Sequence, residues 1–232
     1  MFEGKRVFVT GAAGALGQAV CHYFVKRGAR LVALDYSDDL LIDAFPSQIE
    51  EHEYLAVDLT SRVSCNKVLG PSVTGGGVDV LCNIAGGFIM GEQVHETSDT
   101  TWEFLMNLNT RSIINTTSVV VPKMLDQGAG KIINVGARAA TQGSAAMGLY
   151  TASKAAVMRL TESMAAELRE RNINVNCIMP GTIDTPKNRE GMPDADHAKW
   201  VLPAQLASVV GFLASEEAIA VHGAAIPVDG LS

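Results

Sequence analysis

The chain begins with an apolar run that leads directly into a glycine-rich turn, RVFVTGAAGALG at residues 6–17. Glycine is needed where a backbone turns sharply, where it approaches a phosphate, and where a helix packs closely on a strand. A helix that starts just after this turn directs its free amide groups and the positive end of its dipole toward the turn. The turn therefore predicts a pyrophosphate site, and a tight strand-to-helix connection is the alternative. The candidate phosphate-binding residues are Gly11, Gly14, Ala15, Leu16 and Gly17.

Apolar segments that suit buried strands alternate with helical segments along the rest of the chain. Strands are predicted at 6–10, 30–35, 78–86, 131–136, 173–180 and 224–230, and helices at 16–28, 99–126, 149–171 and 203–214. Strands that are apolar throughout and alternate with helices predict a parallel sheet covered on both faces. We therefore expect residues 1–232 to form one α/β domain, a Rossmann-type doubly wound parallel sheet whose ligands bind at the carboxyl ends of the strands.

Composition narrows the classes of partner. The formal net charge of −7 disfavours binding to nucleic acid or to a membrane surface, and no apolar run is long enough to span a membrane. The four cysteines lie far apart without metal-ligand spacing, and the five histidines show none either. We expect a cytoplasmic protein with reduced thiols, no metal site and a small-molecule substrate.

The second predicted strand ends in a carboxylate, Asp35, 24 residues after Gly11. A carboxylate at this place accepts hydrogen bonds from both ribose hydroxyls of NAD and repels the 2′-phosphate of NADP. No Lys or Arg lies in the glycine turn or within two residues after Asp35, so NADH is preferred over NADPH. A solvated strand-end carboxylate is the alternative. Asp58 and Leu59, at the end of the stretch YLAVDL, are candidates for the adenine edge, and Asp58 is equally suited to cap the strand end.

A second informative stretch is INVGARAATQGSAAMGLYTASKAA at residues 133–156. Tyr150 and Lys154 are four residues apart, which places them on one face of the predicted helix. A free tyrosine has a pKa near 10, so acid–base work near neutral pH requires a shift of about three units, roughly 4 kcal/mol. A lysine ammonium and a positive nicotinamide ring beside it would both lower that pKa. The alternative is a surface helix with an incidental Tyr–Lys pair.

In order and spacing, these motifs resemble the short-chain dehydrogenase/reductase family along the whole chain. The matching pieces are TGAAGALG at 10–17, NIAGG at 83–87, LNT at 108–110, YTASK at 150–154, PGTIDT at 180–185 and VDG at 228–230. The resemblance implies Tyr150 and Lys154 as catalytic residues, with Asn109 organising the proton relay of the lysine. It also implies a homodimer or homotetramer formed through helices 99–126 and 149–171. By the same resemblance, Asn83, Ala85 and Gly86 line the cofactor channel, and Pro180, Gly181 and Thr185 contact the nicotinamide end.

Two positions depart from the usual pattern of the family. The glycine spacing is TGxxGxxG, with Ala15 in the middle slot, and Ala137 stands thirteen residues before Tyr150, where the family usually has a serine. Loss of such an oxyanion donor typically costs about 10²–10³ in rate. Three explanations remain open: Ser144, with Thr141 behind it, replaces the serine in a ketone or alcohol dehydrogenase; the substrate is a quinonoid ring that spreads its charge; or the chain binds dinucleotide without catalysis.

The segment DTPKNREGMPDADHAKW at 184–200 resembles the corresponding loop of dihydropteridine reductases, which also carry alanine at the serine position. It lies in a predicted substrate loop at about 182–202, hereafter the 182–202 loop; an ordinary exposed connection is the alternative. In this loop Arg189 would face an anionic or carbonyl group of the substrate, and Trp200 would stack on a flat ring. The sequence thus favours an NADH-dependent reductase of a quinonoid ring, with Tyr150 as proton donor.

Overall fold

In the computed structural model, which describes residues 1–231, the strands form one parallel sheet. Its seven strands in this range are β1 (Arg6–Thr10), β2 (Arg30–Asp35), β3 (Glu53–Ala56), β4 (Val80–Asn83), β5 (Gly130–Val135), β6 (Ile173–Pro180) and β7 (Ala225–Val228). Their order across the sheet is β3-β2-β1-β4-β5-β6-β7, and each neighbouring pair is parallel. The direction of winding therefore reverses between β1 and β4, and the crevice above their carboxyl ends is where ligands of such sheets bind. The predicted fold class is confirmed.

Helices cover both faces of this sheet. They are α1 (Ala15–Val25), α2 (Asp38–Ala44), α3 (Arg62–Gly76), α4 (Asp99–Met106), α5 (Ser112–Gln127), α6 (Gly148–Leu168), α7 (Pro186–Gly191) and α8 (Pro203–Ala214). One core lies between the sheet and α1 and α8, and a second lies between the sheet and α3, α5 and α6. Successive residues of a strand point to opposite faces, so Val7 and Val9 enter the first core while Phe8 enters the second.

The predicted element boundaries hold best where an apolar run is uninterrupted. Strands 6–10, 30–35 and 173–180 and helix 203–214 have the predicted bounds. The strand expected at 78–86 is shorter because residues 84 and 85 turn away from the sheet, where the amides of Ile84 and Ala85 donate to Thr10 Oγ1 at 3.0 and 3.1 Å. Strand β3 and helices α2 and α3 were not among the predicted elements.

The helix expected at 99–126 is not continuous. A π-helical turn, Asn107–Arg111, separates α4 from α5. Such turns insert one extra residue into a helix and are frequent at functional sites. Its buried residue is Asn109, so the turn sets the direction in which that side chain leaves the helix.

Within residues 1–231, no helix is both long and apolar enough to cross a lipid bilayer. The same part of the chain contains no group of three or more His, Cys, Asp or Glu side chains arranged to hold a metal ion.

Candidate active site

The glycine turn after β1 leaves no room for a side chain at two of its glycines. Gly11 has φ +63°, and a Cβ atom there would lie 2.8 Å from Ala85 Cα. A Cβ atom at Gly17 would lie 2.0 Å from the backbone oxygen of Gly11. Helix α1 begins at Ala15 with Gly14 as its N-cap, and no side chain caps it. The amide groups of the first turn are therefore left to an external acceptor, which fits a diphosphate group.

Asp35 lies beside this turn at the end of β2. Its Oδ2 accepts a hydrogen bond from the amide of Ala13 at 2.8 Å, and its Oδ1 accepts from the amide of Tyr36 at 2.7 Å. These bonds fix the carboxylate against the glycine turn. A carboxylate accepts about four hydrogen bonds, so it retains capacity for two hydroxyl donors.

Asp58 and Leu59 are occupied by contacts within the protein. Asp58 Oδ1 accepts from both the amide and the hydroxyl of Thr60, at 2.9 and 2.6 Å. The Oδ1 atom therefore caps the turn after β3. A contact of Asp58 and Leu59 with the adenine edge stays a prediction. The backbone oxygen of Leu59 accepts from Asn115 Nδ2 at 2.9 Å, which ties this turn to α5.

Asn83 is expected to line the crevice, but its side chain lies in a buried hydrogen-bond chain beneath it. Asn83 Nδ2 donates to Asn134 Oδ1, and Asn83 Oδ1 accepts from Thr116, both at 2.9 Å. Asn134 Nδ2 in turn donates to Thr161 of α6 at 2.9 Å. The side-chain amide is thus used to join β4, β5, α5 and α6, because a buried polar group requires partners.

Asn109 connects the π turn to the loop after β4. Its Oδ1 accepts from the amide of Gly87 at 2.7 Å, and its Nδ2 donates to the Gly87 oxygen at 3.1 Å and to Ser153 Oγ at 2.9 Å. Gly86 fits closely beside it, since a Cβ atom there would lie 2.9 Å from Lys154 Nζ and 3.0 Å from Asn109 Oδ1. The structure therefore brings Asn109, Gly86 and Lys154 together, as the resemblance implied.

Lys154 is buried and donates a hydrogen bond from Nζ to the backbone oxygen of Val135 at 2.8 Å. Burial lowers its pKa to about 8, and the neighbouring Cys177 thiol partly opposes that shift. A lysine of this pKa gains and loses its proton close to physiological pH.

The direction of the pKa shift at Tyr150 differs from the prediction. Burial raises the pKa of Tyr150. The sequence predicts a value lowered by the lysine ammonium and by a bound, positive nicotinamide ring. The Phe88 ring packs edge-on against Tyr150 with ring centroids 4.8 Å apart and an interplanar angle of 86°. A protonated tyrosine hydroxyl in these surroundings is suited to donate a proton.

Ala137 is buried in an apolar cluster with Ile113, Cys177 and Met179, and Tyr150 packs against the same cluster. Within residues 1–231, no hydrogen bond joins the Ser144 hydroxyl to Tyr150. The half-buried Ser144 instead accepts the amide of Met147 on its backbone oxygen at 3.2 Å. The structure therefore provides no contact by which Ser144 replaces a hydroxyl at position 137.

Pro180, Gly181 and Thr185 lie where β6 passes into the 182–202 loop. The amide of Gly181 donates to the Val228 oxygen at 3.1 Å, and Thr185 is the N-cap of α7, accepting the amide of Asn188 at 3.2 Å. The Thr185 hydroxyl can still donate its hydrogen to a ligand. The two ends of the loop are joined, since Ile183 bridges Val201 and the amide of Asp184 donates to the Val201 oxygen at 2.9 Å.

Two predicted substrate contacts lie in this loop, and both side chains have partners within it. Arg189 forms a bidentate ion pair with Asp184, at 2.5 and 2.8 Å, and its side chain is 53% exposed, so its contact with a substrate stays a prediction. This pair lowers the pKa of Asp184. Trp200 is buried, with its ring 4.4 Å from the His197 ring, because the chain folds into a short 3₁₀ turn just before it. Its indole therefore packs inside the loop and does not offer a face to a ligand.

Three residues of the site were not found from the sequence. They are Phe88, which packs on Tyr150; Thr10, which holds the start of the loop after β4; and Ser153, which links Asn109 to the Tyr150 backbone oxygen at 2.8 Å. Phe88 directly follows the NIAGG motif, and Thr10 and Ser153 lie inside motifs. Their place in or beside a motif is the feature of the sequence that could have indicated a role in the site.

Comparison with known proteins shows the family and the fold of the chain. Residues 5–196 match the model of the family described as short chain dehydrogenase. Dehydrogenase/reductase SDR family member 6 of Aquarana catesbeiana is 33% identical over 246 residues, covering 98% of this chain and 97% of that protein. The 3-oxoacyl-[acyl-carrier-protein] reductase FabG of Thermotoga maritima is also 33% identical, with the same coverage. The structure described as a putative NAD(P)-dependent gluconate 5-dehydrogenase from Beutenbergia cavernae, with bound NADP, superimposes with a TM-score of 0.87. That protein is 26% identical, and the match covers 98% of this chain and 96% of that one.

Proposed function

Because the chain belongs to the short-chain dehydrogenase family, we propose that it is a reductase that uses NADH and reduces a conjugated, quinonoid ring. The observation that carries the substrate class is the apolar environment of Ala137 beside Tyr150. A ketone needs a hydrogen-bond donor for the single oxygen on which its charge develops. A conjugated ring with several nitrogens spreads that charge, so one proton donor is sufficient.

Asp35 supports the preference for NADH. Its carboxylate is fixed against the glycine turn by the amides of Ala13 and Tyr36. There it would accept the hydroxyls of the adenosine ribose and repel a 2′-phosphate. The open first turn of α1 would hold the diphosphate of the same cofactor.

Tyr150 is the proposed proton donor. Burial raises the pKa of its phenol, so the hydroxyl carries its proton at neutral pH. Bound NADH would supply a hydride, with both of its electrons, and leave as NAD⁺. Tyr150 would donate one proton to the substrate and become a phenolate. Lys154 and Asn109 would hold the nicotinamide side of the crevice through their contacts around Gly86, and Lys154, with a pKa of about 8, can return a proton to the tyrosine.

Reduction of a ketone is the second candidate. It is favoured by similarity to the 3-oxoacyl-[acyl-carrier-protein] reductase FabG of Thermotoga maritima. It would need a hydroxyl in place of a serine at 137, and the Ser144 hydroxyl makes no hydrogen bond to Tyr150 within residues 1–231. A protein that binds dinucleotide without catalysis is the third, and the close grouping of Asn109, Lys154 and Gly86 argues against it.

We also expect a homodimer or homotetramer. Large apolar side chains on α4 and α5 are exposed, at 54% for Trp102, 43% for Phe104 and 42% for Ile114. Contact between copies of the chain would remove this apolar surface from water.

The test is NADH oxidation with quinonoid dihydropterin, run beside simple ketones and a 3-oxoacyl thioester. Wild type, Tyr150→Phe and the control Tyr23→Phe would be compared, since Tyr23 lies on α1 away from the crevice. We expect turnover of the pterin that falls at least 100-fold in Tyr150→Phe and is unchanged in Tyr23→Phe. Turnover of ketones alone would establish the second candidate, and NADH binding without turnover of any acceptor would establish the third.

A further inference from the structure

Arg138 immediately follows Ala137 and forms an ion pair with a residue 91 positions later in the chain. Its Nε lies 3.1 Å from Asp229 Oδ2, with side-chain exposures of 50% for Arg138 and 29% for Asp229. The pair joins the 3₁₀ turn Arg138–Thr141, beside the candidate active site, to the segment that follows β7.

That segment, residues 229–231, rests directly on the end of the 182–202 loop. Gly230 has φ +68°, and a Cβ atom there would lie 2.8 Å from the Lys199 oxygen and 3.0 Å from the Val201 amide nitrogen. The amide of Leu231 donates to the Lys199 oxygen at 2.8 Å. Only glycine permits this close approach, so the segment and the end of the loop must move together.

The same end of the loop is bound to its beginning. The amide of Val201 donates to the Thr182 oxygen at 3.0 Å, and the amide of Asp184 donates back to the Val201 oxygen at 2.9 Å. A continuous set of contacts therefore runs from Arg138 through Asp229 and residues 229–231 to both ends of the 182–202 loop.

We infer that Arg138 is a positioning residue that holds the 182–202 loop at the active site through Asp229. The inference rests on the proposed function and on the predicted role of the 182–202 loop as the substrate loop. Arg138 touches neither end of the loop in its own right; it acts by fixing the segment on which the loop rests. An exposed ion pair contributes modestly and is weakened by salt, so its effect must be graded and dependent on ionic strength.

The first experiment is limited proteolysis with trypsin, because the loop contains Lys187, Arg189 and Lys199. The variants are Arg138→Gln, Asp229→Asn and the double charge swap Arg138→Asp with Asp229→Arg. Arg159→Gln is the control, since it removes an arginine of similar exposure whose partner, Glu162, lies on the same helix. We expect cleavage within 182–202 to be roughly three- to fivefold faster in both single variants, the range that an exposed pair can supply. The control should match wild type, and the charge swap should restore much of the protection.

The second experiment measures the KM for the acceptor and kcat at low and high salt. We expect a KM roughly three- to fivefold higher in Arg138→Gln at low salt, kcat within about twofold of wild type, and convergence of the two proteins at high salt. Unchanged cleavage in both single variants, or faster cleavage with an unchanged KM, would overturn the positioning role. If the wild type turns over no acceptor while cleavage responds as expected, the proposed function fails and the link from Arg138 to the loop is retained.

Discussion

The Nζ atom of Lys154 lies 2.8 Å from the backbone oxygen of Val135, at the carboxyl end of β5. The amine is therefore held inside the protein, between α6 and the sheet. Burial has opposite consequences for the two groups, lowering the pKa of the lysine and raising that of the tyrosine. Both shifts favour the uncharged form, as desolvation requires.

Replacement of Lys154 by methionine should remove activity and yet stabilise the fold at neutral pH. The pKa of Lys154 is about 8 in the folded protein against 10.5 for a free lysine. Between these two pH values Lys154 is protonated in the unfolded chain and neutral in the folded one, so the free energy of unfolding rises with pH across that window. Below pH 8 the lysine is charged in both states, and the cost of burying the charge is fully present. We expect Lys154→Met to gain about 1–2 kcal/mol in urea unfolding at neutral pH. That gain in unfolding free energy should disappear above pH 10.5, the pKa of a free lysine. An equal gain at neutral pH and above pH 10.5 would contradict the lowered pKa of Lys154.

Gly86→Ala should impair catalysis without unfolding the protein. The new methyl group would lie 2.9 Å from Lys154 Nζ and 3.0 Å from Asn109 Oδ1, so one of these groups must move. We expect kcat/KM to fall at least tenfold, on the order expected when catalytic groups are displaced by about 1 Å. Gly75→Ala is the matched control because its Cβ meets nothing within 4 Å. That control should keep full activity and gain about 0.5–1 kcal/mol in unfolding free energy, since Gly75 lies inside α3.

Asp35→Ala should change the choice of cofactor. The substitution removes a charged acceptor of the ribose hydroxyls and the repulsion of a 2′-phosphate. We expect the ratio of the NADPH Kd to the NADH Kd to fall by about 10- to 100-fold, measured by nicotinamide fluorescence titration. Asp39→Ala, at an exposed position of α2, should leave the ratio unchanged. An unchanged ratio in Asp35→Ala would mean that another residue governs the choice between the two cofactors.

Ala137→Ser tests why a ketone is a poor fit for this site. A hydroxyl placed in the cluster beside Tyr150 would supply an oxyanion donor, so we expect ketone turnover to rise about tenfold or more. Pterin turnover should stay the same, and stability should fall by about 1–3 kcal/mol because a polar group enters an apolar environment. Ala140→Ser places a hydroxyl in the same turn, also at a buried position, and should show only the loss of stability. If neither variant gains ketone turnover, the absent serine does not explain the substrate.

The apolar strands and the glycine turn could be predicted from sequence because each depends on residues that are adjacent in the chain. A buried strand requires a continuous apolar run, and a tight turn requires glycine. Strand β3 was not predicted because it lies at the edge of the sheet and its residues, from Glu53 to Ala56, are only half-buried, so no apolar run marks it. Helix α3 was missed because Gly70, Pro71 and Gly75 lie inside it, although packing of Cys65, Leu69 and Val73 on the sheet stabilises it.

The roles of individual side chains could not be predicted in the same way. They depend on hydrogen-bond and packing partners that are distant in sequence, or on nearby residues that bind the side chain in place of a ligand. Arg189 suits an anionic ligand by its chemistry, but Asp184 lies within reach and accepts from two of its three guanidinium nitrogens, Nε and Nη2. Trp200 suits a flat ring, but it is buried beside His197. Asn83 is part of a family motif, yet its amide bonds to Asn134 and Thr116, which lie 51 and 33 residues away. None of these pairings follows from spacing.

Because of the π turn at Asn107–Arg111, the side chains of α5 leave the helix in directions different from those that an unbroken continuation of α4 would give. Each residue advances an α-helix by about 100°, so a single inserted residue rotates everything beyond it by that angle. Before the insertion the ring of Phe104 lies against Gly87, in the loop that Asn109 holds. Beyond it α5 is oriented for the turn after β3 and for β4, where Asn115 and Thr116 find their partners. Deletion of one residue here would leave a regular helix that can serve only one of these surroundings. The length of this turn, as well as the side chain of Asn109, is thus a property on which both the site and the core depend.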